Sequence, residues 1–232
     1  MLNKYFSKKL LCKSSVFFLL SLYVSISYAS EFTGFVAIEQ RQFIDKPKFA
    51  DQKSTSVPSI VIEPEYYNVT NDDKDIFTAR LFQRMDFSDN KRTHFDVRQL
   101  DWNHSSNSSE FRVGVGKVFW GVAESRHLVD IVNQTDFVED IDEEEKLGQP
   151  MFQYVNITDK GTIRFFYLPY FRERAFACNR GRLRGPNIIN KNNAIYANKN
   201  KRWHPDFAIR YEHTIEDWDI GVAHFYGTSR EP

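Results

Sequence analysis

Residues 205–227, PDFAIRYEHTIEDWDIGVAHFYG, decide the fold. Phe207, Ile209 and Tyr211 fall on one side of an extended chain, and Asp206, Arg210 and Glu212 on the other. After a break at Ile215–Asp217 the pattern resumes. Trp218, Ile220 and Val222 oppose Asp217, Asp219, Gly221 and Ala223. Side chains that change sides at every residue mark strands, not helices. The same alternation runs through Ile76–Phe87 (IFTARLFQRMDF). There Phe77, Ala79, Leu81 and Met85 oppose Thr78, Arg80, Arg84 and Asp86. Working outward, the strands expected are Glu31–Phe43, Pro58–Val69, Ile76–Phe87, Thr93–Trp102, Ser109–Phe119, Met151–Thr158, Thr162–Phe171, Pro205–Thr214 and Trp218–Gly227. Most exceed the ~5–6 residues of an ordinary globular strand and approach the ~9–11 of a strand that crosses a bilayer.

Two further features point the same way. Tyr66, Tyr67, Trp102, Trp120, Tyr170, Trp218 and Tyr226 sit at or near strand ends, as interfacial aromatic girdles do. The connections also alternate in length. Asp45–Val57, Trp120–Pro150 and Arg172–His204 follow odd strands and are long. Thr70–Asp75, Asn103–Ser108, Asp159–Gly161 and Ile215–Asp217 follow even strands and are short. Ser88–Arg92, after the third strand, is short where length is allowed. A barrel entered from the periplasm has this parity. The expected fold is therefore all-β: an antiparallel transmembrane β-barrel with a long inserted loop. No stretch of helical period and no internal repeat competes with it. Lys191–Lys201 (KNNAIYANKNK) is a polar low-complexity tract suited to a loop.

The chain has 232 residues, 31 Lys and Arg against 31 Asp and Glu, and 16% aromatic residues. A zero net charge gives no bulk field for nucleic acid. Residues 1–29 read as a cleaved signal peptide. Lys4, Lys8, Lys9 and Lys13 precede the apolar run Val16–Ile26, and Ser27-Tyr28-Ala29 places small residues for cleavage after Ala29. Removing them takes away four lysines and no acid, which leaves 27 basic and 31 acidic residues in 30–232. Beyond this run no stretch of ~18 apolar residues remains for a membrane helix. Cys12 precedes the apolar run, so Cys178 is the one cysteine after cleavage, and no disulfide scaffold is possible. An exported chain without disulfides suits a bacterial envelope.

Two segments carry the candidate chemistry. Trp120–Pro150 is too long for a turn and too apolar at Leu128, Val129, Ile131 and Val132 for a plain solvated loop. It either folds back into the barrel lumen or caps the outside. Its second half bears an acidic run that includes Asp136, Glu139 and Asp140, without the spacing or glycine of a calcium loop. Arg172–Arg184 bears Arg172, Arg174, Arg180, Arg182 and Arg184. Arginines facing the acidic loop across a pore would set ion selectivity at a constriction. Alternatively they tie the two loops together by salt bridges. The six histidines lack metal-ligand spacing, and no Gly-x-Ser-x-Gly elbow is present. No catalytic constellation and no cofactor or metal site is expected, so the chain does not read as an enzyme.

The runs VGVGKVFWGVAESRHLVDIVNQTDF (113–137), EEEKLGQPMF (143–152), FFYLPYFRERAF (165–176) and GRLR (181–184) resemble porin-like outer-membrane proteins of Gram-negative bacteria, a group of channels and exporters. The resemblance covers about Ser109–Pro232. Its signature is a strand ending in Trp120-Gly121, then a long segment with Asp130 and Asn133, then a strand led by Pro150. It implies an outer-membrane β-barrel passing or exporting small solutes, with lipid and those solutes as partners and a homo-oligomer as an option. It also implies a longer chain with a terminal aromatic, whereas this one ends Gly227-Thr-Ser-Arg-Glu-Pro232. Nine strands is odd where single-chain bacterial barrels use even numbers. The expectation is thus the N-terminal part of a larger barrel, an open curved sheet with edges at Glu31–Phe43 and Trp218–Gly227. The competing class is a soluble periplasmic or secreted β-sandwich that binds a ligand or polysaccharide.

Overall fold

The computed structural model describes residues 30–52, 55–119 and 131–230. Among these, nine strands form one antiparallel sheet in chain order: β1 (Ser30–Gln42), β2 (Ser56–Thr70), β3 (Asp75–Asp86), β4 (His94–Ser105), β5 (Ser109–Gly116), β6 (Gln149–Thr158), β7 (Gly161–Leu168), β8 (Asp206–Ile215) and β9 (Trp218–Tyr226). Each strand pairs with its neighbours in sequence, and no ladder joins β1 to β9 among the described residues. The sheet is therefore open at those two strands. The connections at one end are short (71–74, 106–108, 159–160 and 216–217). Those at the other end carry the long segments 117–148 and 169–205.

Two strands stop earlier than the sequence suggests. β7 ends at Leu168 because Pro169 has no N–H to continue the ladder. β5 ends at Gly116 because a side-chain amide takes over its backbone partners. Asn133 Nδ2 donates to the Gly116 carbonyl at 2.8 Å, and the Val118 N–H donates to Asn133 Oδ1 at 2.8 Å.

Alternation sorts the side chains by chemistry. One face carries Ile38 opposite Ile60, Trp102 opposite Val113 and Phe165 opposite Ile209. This apolar face is exposed: Ile38 is 82% accessible, Trp218 75% and Val222 63%. The other face carries Glu63, Arg84, Asp96, Arg98, Asp101 and Asp206, all buried. A small apolar cluster sits on that polar side, built from Val132, Met151, Phe166, Leu168 and Ala208, with Ile131 and Val118 packed against it.

β4 contains an irregularity. Arg80 pairs with Gln99 but Leu81 pairs with Val97, so Arg98 is an extra residue on β4. A bulge of this kind shifts the alternation by one. Asp96 and Arg98 point to the polar side before it, and Asp101 does so after it. Just beyond, Gly114 lies opposite Asp101 with φ +138°. A Cβ there would sit 2.1 Å from the Leu100 carbonyl oxygen and 2.7 Å from Asp101 Cα. The glycine thus permits the close approach of β5 to β4. Gly114→Ala should destabilise the folded chain by about 1–3 kcal/mol, read as a lower urea midpoint. An unchanged midpoint would show that β4 and β5 are not held this close.

Candidate functional site

Residues 131–148 pack on the polar face of the sheet, tied to β3, β4 and the end of β5. The segment folds on itself: Thr135 bridges Lys146, the Asp136 N–H donates to Glu145 O at 2.8 Å, and the Leu147 N–H donates to Gln134 O at 2.8 Å. Three clamps then fix it to the strands. Asn133 holds Gly116 and Leu147 through its amide, at 2.8 Å each. Glu139 takes a forked pair from Arg84, at 2.8 Å from Nε and 2.6 Å from Nη2. Asp136, fully buried, accepts from Arg98 Nη2 at 3.1 Å and faces His94 Nε2 at 3.4 Å.

The clamps belong to one network. Arg84 also donates from Nη1 to Glu39 at 2.6 Å and to Ser59 at 2.8 Å. Arg92 donates to Asp86 at 2.8 Å and to Val138 O at 3.0 Å. Arg98 reaches Lys146 O at 3.1 Å. Arg172 bridges Asp96, at 2.7 Å, and Gly148 O, at 2.5 Å. The carboxylates Glu39, Asp86, Asp96, Asp136 and Glu139 thus meet the guanidinium groups of Arg84, Arg92, Arg98 and Arg172. His94 lies among them, with Nδ1 2.9 Å from Arg92 O and Nε2 toward Asp136. It is placed to supply a fifth cation when protonated.

The sequence-level candidates are therefore distributed differently from the expected two-sided constriction. The carboxylates of Asp136 and Glu139 are buried and pair with side chains of β3 and β4, whereas the contact of Asp136 with residues 172–184 is a backbone bridge to Ala175. Asp140 pairs with Arg41 at 3.2 Å, half exposed. Arg172 goes to β4. Arg174 donates to Gln134 at 2.9 Å and lies over the Phe137 ring. Arg182 donates to Asp45 O at 2.8 Å over the Phe43 ring, and Arg184 pairs with Asp51 at 2.7 Å over the Phe49 ring. These last two tie the seventh connection to the first. Trp120, Gly121 and Asp130 fall outside the described residues. Arg84, Arg92, Arg98 and His94 are the partners of residues 136–139 that the sequence reading did not single out. The available signal was alternation, which places Arg84 on the polar face.

Beside the docked segment, a cavity of about 320 Å³ opens on the polar face between β5 and β8, lined by Arg112, Lys117, Arg164 and Arg210 with Glu212 and Phe166. Among the described residues no group of three or more His, Cys, Asp or Glu side chains is placed to hold a metal ion. Comparison of the chain with family models, with curated proteins and with solved structures finds no match.

Buried ion pairs specify geometry more than they stabilise, because desolvation offsets their attraction, but breaking one strands a charge. Arg84→Met should therefore cost about 3–5 kcal/mol, and Asp140→Asn, at the half-exposed pair, under about 1 kcal/mol. Equal costs in urea titrations would contradict the network. A pH effect follows as well. Burial alone would raise the Asp136 carboxyl; the His94 imidazole and the Arg98 charge outweigh it and hold it below the usual carboxylate range. A lowered folded value means the stabilisation is complete above the unfolded value of about 3.9 and is lost as pH falls through the folded one. Pepsin should thus leave residues 131–148 intact near pH 4.5 and cut them near pH 2. Equal cutting at both would remove Asp136 as the anchor.

Proposed function

We propose that this sheet is part of the wall of an outer-membrane pore that passes or exports small solutes, with residues 131–148 forming its constriction. One observation carries the reading: the amphipathy of the sheet is inverted. Large apolar side chains stand exposed on one face, and arginines, aspartates and glutamates are buried on the other. In water this arrangement leaves an apolar surface well beyond what a monomer ordinarily exposes. In a bilayer, hydrocarbon covers the apolar face and the polar face lines the passage. A soluble sandwich would need a second layer over the apolar face, and the described residues leave that face uncovered.

The parity of connections supports the same reading, with tight turns on one side and long loops on the other. The signal-like residues 1–29 supply the route of export. In hydrocarbon every backbone group needs a partner, so closing the wall requires strands that pair with the free edges of β1 and β9. Resemblance to the porin-like proteins adds a family-level expectation to this physical argument.

Cell fractionation tests the reading. The full chain should pellet with outer membranes and need detergent for release. Recovery in the soluble periplasmic fraction would favour the ligand-binding sandwich instead. Ile220→Arg should weaken insertion by about 2–4 kcal/mol if that position lies near the midplane, seen as loss of protein from the membrane pellet. Asp219→Asn, on the opposite face, should leave the pellet unchanged. The reverse pattern would place the wrong face in lipid.

A further inference from the structure

We propose that His94 is a proton-operated latch on the docked segment: its imidazolium holds residues 131–148 on β4, and loss of the proton loosens them. As a change in the opening of a pore, this rests on the reading above; as a change in how the segment is held, it stands on the geometry of the ring.

His94 opens β4, opposite Arg84 of β3. Its ring packs on Phe82, with centroids 5.4 Å apart. Both ring nitrogens face oxygen acceptors. Nδ1 lies 2.9 Å from the Arg92 carbonyl oxygen, and Nε2 lies 3.4 Å from Asp136 Oδ2 and 3.9 Å from Glu139 Oε1. A neutral imidazole carries one N–H and one lone pair. With the hydrogen on Nδ1, the lone pair of Nε2 meets two carboxylates. With the hydrogen on Nε2, the lone pair of Nδ1 meets a carbonyl oxygen. Only the imidazolium sets no lone pair against an acceptor. Nε2 is buried and its contacts lack hydrogen-bond geometry, so what the ring offers the segment is its charge.

The other charges around the ring are engaged elsewhere in the network. On β3, Arg84 donates to Glu139 and Glu39. In the turn before β4, Arg92 donates to Asp86; on β4, Arg98 is shared between Asp96 and Asp136. Arg84 and Arg98 flank the same Phe82 ring and oppose a further cation. On the segment, Lys146 turns its ammonium to Thr135 at 3.1 Å. From the connection 169–205, Arg172 pairs with Asp96, and Lys191 acts on Asp136 through space. Asp136 Oδ1 nevertheless has no hydrogen-bond partner among the described residues. Arg98 reaches only Oδ2, so a second cation at this carboxylate has a role to fill.

Asp136 keeps its charge throughout the range in which histidine titrates, because its carboxyl is held below the usual carboxylate range. The contribution of the imidazolium is present at acidic pH and lost as pH rises and the ring gives up its proton, at about 6.5 for a free imidazole. Above that range Asp136 and Glu139 face a neutral ring, and the hold on β4 weakens.

The test is a nitroxide attached through Asp142→Cys, on the exposed side of the segment, in the full chain carrying Cys12→Ser and Cys178→Ser. The chain is solubilised in detergent, with β structure verified by circular dichroism. The mobile component of the spectrum should rise at least severalfold between about pH 5.5 and 9, with a midpoint between about pH 6 and 8. In His94→Gln this component should be high and flat over the same range. In His94→Lys, which keeps a cation there, it should stay low to about pH 9. A flat titration of the labelled parent, or a rise that persists in either His94 variant, would overturn the latch. A persistent rise would assign the pH effect to another group, first Lys117, which pairs with Glu145 at 3.6 Å. The spectrum reports the seat of the segment and not a pore. A flat titration therefore leaves the pore reading standing, and recovery of the chain in the soluble fraction leaves the latch standing.

Discussion

The polar face of the sheet imposes the constraint from which the other features follow. Its arginines and carboxylates are brought together in a space from which most water is excluded, so each charge needs a partner there. Arg84 meets this need most fully, donating to Glu139 with one fork and to Glu39 and Ser59 with the other. Through it, β1, β2 and β3 are joined to the docked segment. Removing the segment would leave Arg84, Arg92 and Arg98 with fewer acceptors; removing the arginines would leave Asp136 and Glu139 as buried charges. Each side is the condition for the other, because removing either partner of a buried pair strands a charge.

The network also divides the polar face. At β1–β4 the charges are consumed in pairing, and the segment covers them. At β5–β8 a cavity remains, lined by Arg112, Lys117, Arg164, Arg210 and Glu212. Arg230 marks the boundary, donating to Asp206 at 2.8 Å and to Ile131 O at 2.7 Å. The same face thus contains both a segment held by ion pairs and an opening beside it.

Alternation made the strands legible, and the register confirms the sides assigned to Arg80, Arg84, Ile209, Ile220 and Val222. The bulge at Arg98 was not legible. The run Asp96–Asp101 contains no glycine or proline, and the extra residue exists only relative to β3. Nor were the partners of the acidic run. Arg84 lies 55 positions before Glu139 and Arg98 lies 38 before Asp136, so their meeting depends on how the segment folds back. Arg172–Arg184, on the C-terminal side of the acidic run, offered a plausible but different pairing. Asn133 was picked out with its segment, but its role as the cap of β5 required the geometry of two backbone groups. His94 looked like any lone histidine until its two ring nitrogens were seen to face acceptors.

The central claim is that the apolar face meets lipid. Spin labels placed singly at 219, 220, 221 and 222 of β9, in outer membranes of cells expressing the full chain, test it most directly. The account predicts collision with oxygen that alternates with period two, high at 220 and 222 and low at 219 and 221. Labels at 220 and 222 should also be shielded from a water-soluble relaxation agent. Equal access of that agent to all four positions would contradict a lipid-facing sheet.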